Sequence, residues 1–156
     1  MAATKSPEEL ARLHDEAEAK ITTFGYAKPT GINAGKGRVG LAKTDYIRGV
    51  VQIVKKEGGE NNLHYHTNSD TLWVVLSGRI RFYGPDQKII GEFGPQEGTV
   101  TPAYSRYWFE NVGDGEAEIL QVMAMHNVRD QTSGRTDVEP QRFQINTMER
   151  FEAAKV

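Results

Sequence analysis

Apolar positions in the first twenty residues recur with the period of an amphipathic α-helix. The positions that fall on one stripe are Leu10, Leu13, Ala17 and Ile21. Ser6 can cap this helix, Pro7 suits its first position, and Glu9 completes a Ser-x-x-Glu capping box. The pattern therefore predicts an N-terminal helix that begins next to Ser6.

Glycine and proline interrupt any periodic pattern in residues 25–45, which we interpret as an irregular arm. From Tyr46 onward the pattern changes to short segments rich in Val, Ile and aromatic residues, separated by turn residues. The predicted strands are residues 46–55, 63–66, 71–76, 79–83, 89–93, 98–101, 107–112 and 116–126. Short strands without intervening helices predict an antiparallel β-sandwich or barrel, with a jelly roll as one candidate.

The chain has 156 residues, the length of one domain. Past Asn127 it becomes polar, and Phe143 with Ile145 could add a final edge strand. We therefore divide it into a helix and arm over residues 1–45, a β-rich body over residues 46–128, and a C-terminal extension over residues 129–156.

The charge and composition of the chain limit the kinds of molecule that it is expected to bind. Lys and Arg total 19 against 21 Asp and Glu, a net charge of −2, so the basic excess typical of nucleic-acid-binding proteins is missing. The sequence has no cysteine, which excludes disulfide scaffolds, thiol catalysis and Cys-based zinc sites. The N-terminal residues lack the apolar core of a signal peptide, and no apolar stretch is long enough to span a bilayer. We expect a cytoplasmic protein that binds neither nucleic acid nor membrane.

Two of the four histidines, His64 and His66, are separated by one residue within a predicted strand. Alternate residues of a strand point to the same face, so the two imidazoles should project side by side. Such a pair makes half of a metal site, because imidazole is a ligand for several transition metals. The alternative is that two partly exposed histidines share a strand by chance.

The sequence around this pair resembles the cupin family, whose first motif is G-x5-H-x-H-x4-E-x6-G. The positions that match it are Gly58, His64, His66 and Gly78. The second motif, G-x5-P-x-G-x2-H-x3-N, matches at Pro102 and Asn111. The resemblance covers approximately residues 47–126. It implies an all-β, cupin-type antiparallel jelly-roll β-barrel with an N-terminal α-helix, an active site at its mouth, and a homodimer formed through exchanged N-terminal elements.

The chain departs from the family at two of its four metal-ligand positions. Thr71 stands in the glutamate position of the first motif and Tyr107 in the histidine position of the second, while Tyr104 replaces a turn glycine. Three repairs are conceivable: a bulge could turn Asp70 inward, Tyr107 could bind as phenolate, or His126 could reach the site from another strand. Alternatively, Asp70 is a turn residue, Tyr107 a wall residue and His126 a surface residue.

The pair could also work without a metal. His64 or His66 could act as general base while Tyr107 donates a proton from the opposite side, an arrangement similar to that of metal-free cupins that epimerise nucleotide sugars. Trp73 would supply an apolar or stacking wall. The candidates for holding an anionic substrate group are Arg48, Gln52, Arg81 and Arg106.

These observations favour an enzyme that acts on a small polar or anionic metabolite through a divalent metal ion. Fe, Mn, Zn or Ni on His64 and His66, completed by Asp70 or Tyr107 and water, would polarise the substrate. Oxygenase, isomerase, decarboxylase and lyase chemistry all stay open. The alternatives are a ligand-binding cupin without catalysis and a metal-free acid–base isomerase.

Overall fold

The computed structural model describes residues 3–142 and 148–156. It is mostly β, with one α-helix, α1 (Pro7–Glu18). The Ser6 hydroxyl accepts from the Glu9 backbone N–H at 3.1 Å, so the predicted N-cap is confirmed, although Ile21 lies beyond the end of the helix. None of the residues of α1 is buried. No helix in the described residues is long and apolar enough to cross a membrane.

The strands are β1 (Lys36–Lys43), β2 (Ile47–Val54), β3 (His64–His66), β4 (Ser69–Ser77), β5 (Ile80–Tyr83), β6 (Ile89–Phe93), β7 (Gly98–Thr101), β8 (Trp108–Asn111), β9 (Ala117–Met125), β10 (Arg135–Asp137) and β11 (Met148–Glu152). They form a six-stranded sheet in the order β11-β1-β2-β9-β4-β7, a three-stranded sheet in the order β6-β5-β8, and a pair, β10-β3. All strand pairs are antiparallel except β1 with β11.

The six-stranded and three-stranded sheets share one hydrophobic core. The buried residues of that core come from both sheets and are Val54, Trp73, Val75, Ile80, Phe82, Tyr107, Phe109, Ala117 and Ile119. Trp73 packs edge-on against Phe109, with ring centroids 5.3 Å apart. Because large aromatic side chains bury the most apolar surface, this cluster holds the two sheets together. Trp73 and Tyr107 also line the cavity described below.

The interpretation of residues 25–45 as an irregular arm is wrong for their second half, which forms β1. Gly37 and Gly40 hide the strand pattern, and side chains from outside the strand approach both of them closely. A β-carbon on Gly37 would lie 2.8 Å from Cδ1 of Ile32, and one on Gly40 would lie 2.6 Å from a carboxylate oxygen of Glu152. These glycines therefore let neighbouring side chains approach the strand rather than ending it.

The C-terminal residues add two strands beyond the predicted body. β10 pairs with β3, and β11 forms an edge of the six-stranded sheet beside β1. The edge strand proposed around Phe143 and Ile145 falls outside the described residues. Both added strands bring side chains to the histidine pair and its surroundings.

Candidate functional site

The two histidines of β3 and Tyr107 converge inside the protein. His64 and His66 are 2% and 9% exposed, and their ring centroids lie 5.2 Å apart. The backbones of His64 and Tyr107 exchange two hydrogen bonds, of 3.1 and 3.0 Å, which place their rings 4.5 Å apart. The predicted alternation along the strand is thus present, and the bridge to Tyr107 adds a third polar side chain.

Each imidazole has one nitrogen occupied by a hydrogen bond. Nδ1 of His64 lies 2.7 Å from the carbonyl oxygen of Asn62, so this nitrogen carries the proton and donates it. Nδ1 of His66 lies 2.9 Å from the Ser133 hydroxyl. Nε2 of His64 therefore keeps its lone pair for a ligand, a proton or a metal ion.

The histidines line a cavity of about 240 Å³ whose charged residues are all cationic. Its five basic residues are Lys36, Arg38, Arg48, Arg135 and Arg150. Uncharged polar groups from Gln52, Asn61, Gln121 and Ser133 complete the polar lining. No Asp or Glu of the described chain lines it, which makes the cavity a place for negative charge.

Burial and this positive charge keep the imidazoles neutral. Burial, followed by repulsion from Arg135, lowers the pKa of His64 well below its usual value and that of His66 to about 4, while Asp137 opposes part of the change at His66. Burial also raises the pKa of Tyr107 to about 12, although the Thr101 hydroxyl opposes part of that change. At neutral pH the pair and the phenol are therefore all uncharged.

Lys36 lies deepest among the cations. It is 8% exposed, and its Nζ lies 4.7 Å from the centre of the Phe109 ring. Burial, followed by repulsion from Arg135, lowers the pKa of Lys36 to about 7, while Glu60 opposes the change. No ion pair between Lys36 and a carboxylate occurs within the described ranges. This amine is therefore partly unprotonated at neutral pH.

Comparison with known proteins identifies the family. The family model described as the cupin domain matches residues 50–123, which span β2 to β9 and include both histidines. The chain belongs to the cupin superfamily. No curated protein matches this cupin at a significant level.

Solved structures show the same fold at low sequence identity. A conserved protein with a double-stranded β-helix domain from Klebsiella pneumoniae is 19% identical, with a TM-score of 0.58 over 73% of this chain and 91% of its own. KdgF from a Halomonas species is 14% identical, with a TM-score of 0.57 over 68% and 94%. An oxalate oxidase in complex with the substrate analogue glycolate is 19% identical, with a TM-score of 0.55 over 72% and 60%. These structures support the fold alone.

Asp70 does not reach the histidines of this cupin. Its carboxylate accepts from the Ala103 N–H at 2.8 Å and lies 2.9 Å from Nε2 of His126. The pairing of β4 with β9 runs without a shift through this position, so Asp70 points away from the cavity while Thr71 is buried. The bulge that would have turned Asp70 inward is not formed. The proposed roles of Asp70 and His126 as metal ligands at this site are corrected accordingly.

The predicted substrate-binding residues divide into two groups. Trp73, Arg48 and Gln52 line the cavity with His64, His66 and Tyr107. Arg81 does not, because its guanidinium donates to Glu92 at 2.8 and 3.1 Å on the other side of the three-stranded sheet. Arg106 is exposed and also lies outside the cavity lining. The roles predicted for these two arginines are therefore not supported by their positions.

Sequence reasoning missed four of the cavity cations. Lys36 and Arg38 lie on β1, whose glycines concealed the strand. Arg135 lies on β10, opposite His66, within a polar stretch that had no strand pattern. Arg150 lies on β11 opposite Arg38. Only the charge of each was visible in the sequence, and charged residues are normally found on the surface.

Membership of the cupin superfamily implies a divalent metal ion at this site. The donors present are the imidazoles of His64 and His66 and the Tyr107 phenol, whose oxygen is buried near the Thr101 hydroxyl. None of these donors is anionic at neutral pH, and the described chain holds no group of three His, Asp or Glu residues that could bind a metal. The surrounding cations would repel a further positive charge. The donor set therefore fits a resident divalent ion poorly.

Proposed function

We propose that this cupin binds a small anionic metabolite, carrying at least one carboxylate, in the histidine-lined cavity and moves a proton on it by acid–base chemistry. The observation that carries the proposal is the charge of the cavity, with five basic residues and no acidic one among the described residues that line it. Arg135 is paired with Asp137 at 3.0 Å, whereas the buried Lys36 has no ion pair with a carboxylate among the described residues, so a ligand that supplies negative charge would stabilise this cavity.

Three arginines form the first part of the anion site. Arg38 and Arg150 are direct neighbours on the parallel strands β1 and β11, an arrangement in which like charges destabilise a sheet. Burial, followed by repulsion from Arg150 and Arg48, lowers the pKa of Arg38, while Glu152 opposes part of the change. A carboxylate between the guanidinium groups would relieve that repulsion and accept paired hydrogen bonds.

Lys36 and Arg135 form the second part, next to the histidines. Arg135 opposes His66 across β10 and β3, and it repels protons from both imidazoles. An anion bound here would cancel that repulsion and raise the pKa of the imidazoles, which prepares them to accept a proton from the ligand. Tyr107, whose side chain lines the cavity, would donate a hydrogen bond to the same ligand, and Trp73 would form the apolar wall.

Binding is tested with acetate, malonate and succinate by thermal shift and calorimetry. Arg38→Gln is expected to weaken binding of the best anion about tenfold or more, because a charged hydrogen bond contributes about 1.5–3 kcal/mol. The matched control is Arg106→Gln, since Arg106 is exposed and outside the cavity. Equal affinities of the two variants, or no binding of any anion, would contradict the proposal.

Acid–base chemistry is tested separately by proton NMR in deuterated water. Exchange of a carbon-bound hydrogen of the bound anion should require the imidazoles, so His66→Gln should abolish it. Binding without exchange for every ligand would instead support a non-catalytic ligand-binding cupin.

A metal-dependent enzyme is the second candidate, and one observation favours it. The Nδ1 atoms of His64 and His66 are both engaged, by Asn62 and Ser133, as in histidines whose other nitrogen binds a metal. Elemental analysis for Fe, Mn, Zn and Ni on protein never exposed to chelator decides between the candidates. Stoichiometric metal in the wild type that is lost in both His64→Ala and His66→Ala would support the metal-dependent enzyme and contradict the metal-free mechanism.

A further inference from the structure

Lys36 occupies an unusual position for a lysine. Its side chain lies inside the protein, with its Nζ over the face of Phe109, and it lines the same cavity as the histidines. A lysine that serves only to stabilise the fold is normally paired with a carboxylate when buried. Within the described ranges no carboxylate forms such a pair with Lys36.

The environment of Lys36 favours the free amine. Burial and the nearby Arg135 disfavour the ammonium form and lower the pKa of Lys36 to about 7. A lysine in water, with a pKa near 10.4, is a free amine in only about one molecule in 2,500 at pH 7. Neutral amines are nucleophiles, and desolvation beside another cation is an established way to activate a lysine.

The cavity also supplies the groups that would orient an electrophile. Arg38, Arg48 and Arg150 can hold a carboxylate, while Lys36 lies on the same strand as Arg38, two residues earlier. Alternate residues of a strand share a face, so both side chains enter the cavity together. A ligand with a carboxylate and an adjacent carbonyl group could place its anion on the guanidinium groups and its carbonyl carbon at the amine.

We propose that Lys36 forms a covalent imine with the carbonyl carbon of a small oxo acid bound in this cavity. This inference rests on the proposed anion site and names the substrate class, an aldehyde or ketone that carries a carboxylate. It assigns Lys36 a covalent role in addition to its charge.

The chemistry balances without any redox partner. The amine lone pair forms a C–N bond with the carbonyl carbon while the C=O pair moves to oxygen, and one proton passes from nitrogen to that oxygen. One further proton, supplied by solvent, lets the hydroxyl group leave as water. The product is a protonated imine on Lys36, whose positive charge can draw electrons from the neighbouring carbon.

The test is reductive trapping of the full chain at pH 7 with glyoxylate and cyanoborohydride, followed by peptide mass mapping. We expect one carboxymethyl group on Lys36, attached at least about tenfold faster than on Lys43, because the free-amine fraction at an ordinary lysine is smaller by about 10³. Lys43 is the matched control, since it is an exposed lysine on the same strand. Labelling at Lys36 no faster than at Lys43 would overturn the inference.

Two further measurements separate this inference from the anion site. Lys36→Met should lose the selective label, whereas Lys43→Met should keep it. Thermal shifts with malonate, which has no reactive carbonyl, report the anion site alone. A malonate shift without selective labelling overturns the imine and leaves the anion site standing, while no shift with malonate, acetate, succinate or glyoxylate contradicts the anion site as well.

Discussion

Replacing Lys36 with methionine should stabilise the protein at neutral pH. Methionine keeps the apolar length of the side chain and its contact with Phe109, but it has no charge to bury. In the native protein the amine is 8% exposed and has no ion pair with a carboxylate among the described residues. The wild-type fold therefore carries an unfavourable charge that the variant lacks.

The size of the effect follows from the two protonation equilibria. The pKa of Lys36 falls from 10.5 to about 7 in the native protein. Each pH unit of separation corresponds to about 1.4 kcal/mol, which amounts to about 4 kcal/mol at pH 7. Between pH 7 and 10.5 the unfolded chain holds the proton that the native amine has lost, so wild-type stability rises with pH across this window. The variant should lack that rise.

Urea unfolding at pH 7, 8.5 and 10, followed by tryptophan fluorescence, measures both effects. We expect Lys36→Met to raise the free energy of unfolding at pH 7 by about 2–4 kcal/mol, allowing for relaxation around the wild-type amine. The difference from wild type should shrink as the pH approaches 10. The control is Lys43→Met on the exposed side of the same strand, which should stay within about 0.5 kcal/mol. A variant less stable than wild type at pH 7, or an unchanged pH slope, would refute the reasoning.

Three other predictions test the site, the packing and the assembly. His66 alone should lower wild-type stability by about 3 kcal/mol as the pH drops from 6.5 to 4, because its imidazole protonates in this range in the unfolded chain before it does in the native protein. His66→Gln should remove this part of the fall in the free energy of unfolding, and exposed His14→Gln should not. Gly98→Ala should lower the free energy of unfolding, measured by thermal unfolding, by about 2–4 kcal/mol, because the new β-carbon would lie 1.8 Å from a backbone oxygen of β4. Gly115→Ala is the control and should change it little, because Gly115 has open space around it. The homodimer that the cupin resemblance implies should bury exposed apolar side chains of the six-stranded sheet, such as Leu76. Leu76→Lys should therefore convert the dimer to a monomer, measured as a lower mass by light scattering. An unchanged mass would place any interface elsewhere.

Much of the strand pattern was predictable because it is local. The segments 89–93 and 98–101 occur with the predicted bounds, and the remaining predicted strands differ by one or two residues at their ends. β1 was missed because Gly37 and Gly40 remove the apolar alternation at the points where the side chains of Ile32 and Glu152 approach the strand. Tyr104 occupies the turn-glycine position of the second motif and still adopts a φ of 67°, which shows that the turn can persist without its usual residue.

The candidate site was predicted only in part. The convergence of His64 and His66 follows from the two-residue period of a strand, and Tyr107 was suggested by its position in the motif. Whether Asp70 points inward depended on the register of β4 against β9, which no local pattern reveals. The hydrogen bonds that fix the two imidazoles come from Asn62 and from Ser133, and Ser133 lies 67 positions away from His66.

By itself, the sequence determined the class of this protein, the strands of residues 46–126, and the histidine pair at its centre, because these depend on spacing along one chain segment. The charge of the cavity was decided only by the tertiary structure. Arg38 and Arg150 become neighbours through parallel pairing of strands more than a hundred residues apart, and Arg135 reaches His66 through β10. Electrostatic effects act over a few ångströms in space, so an acidic chain with a net charge of −2 can enclose a cavity to which its described residues contribute basic and no acidic side chains.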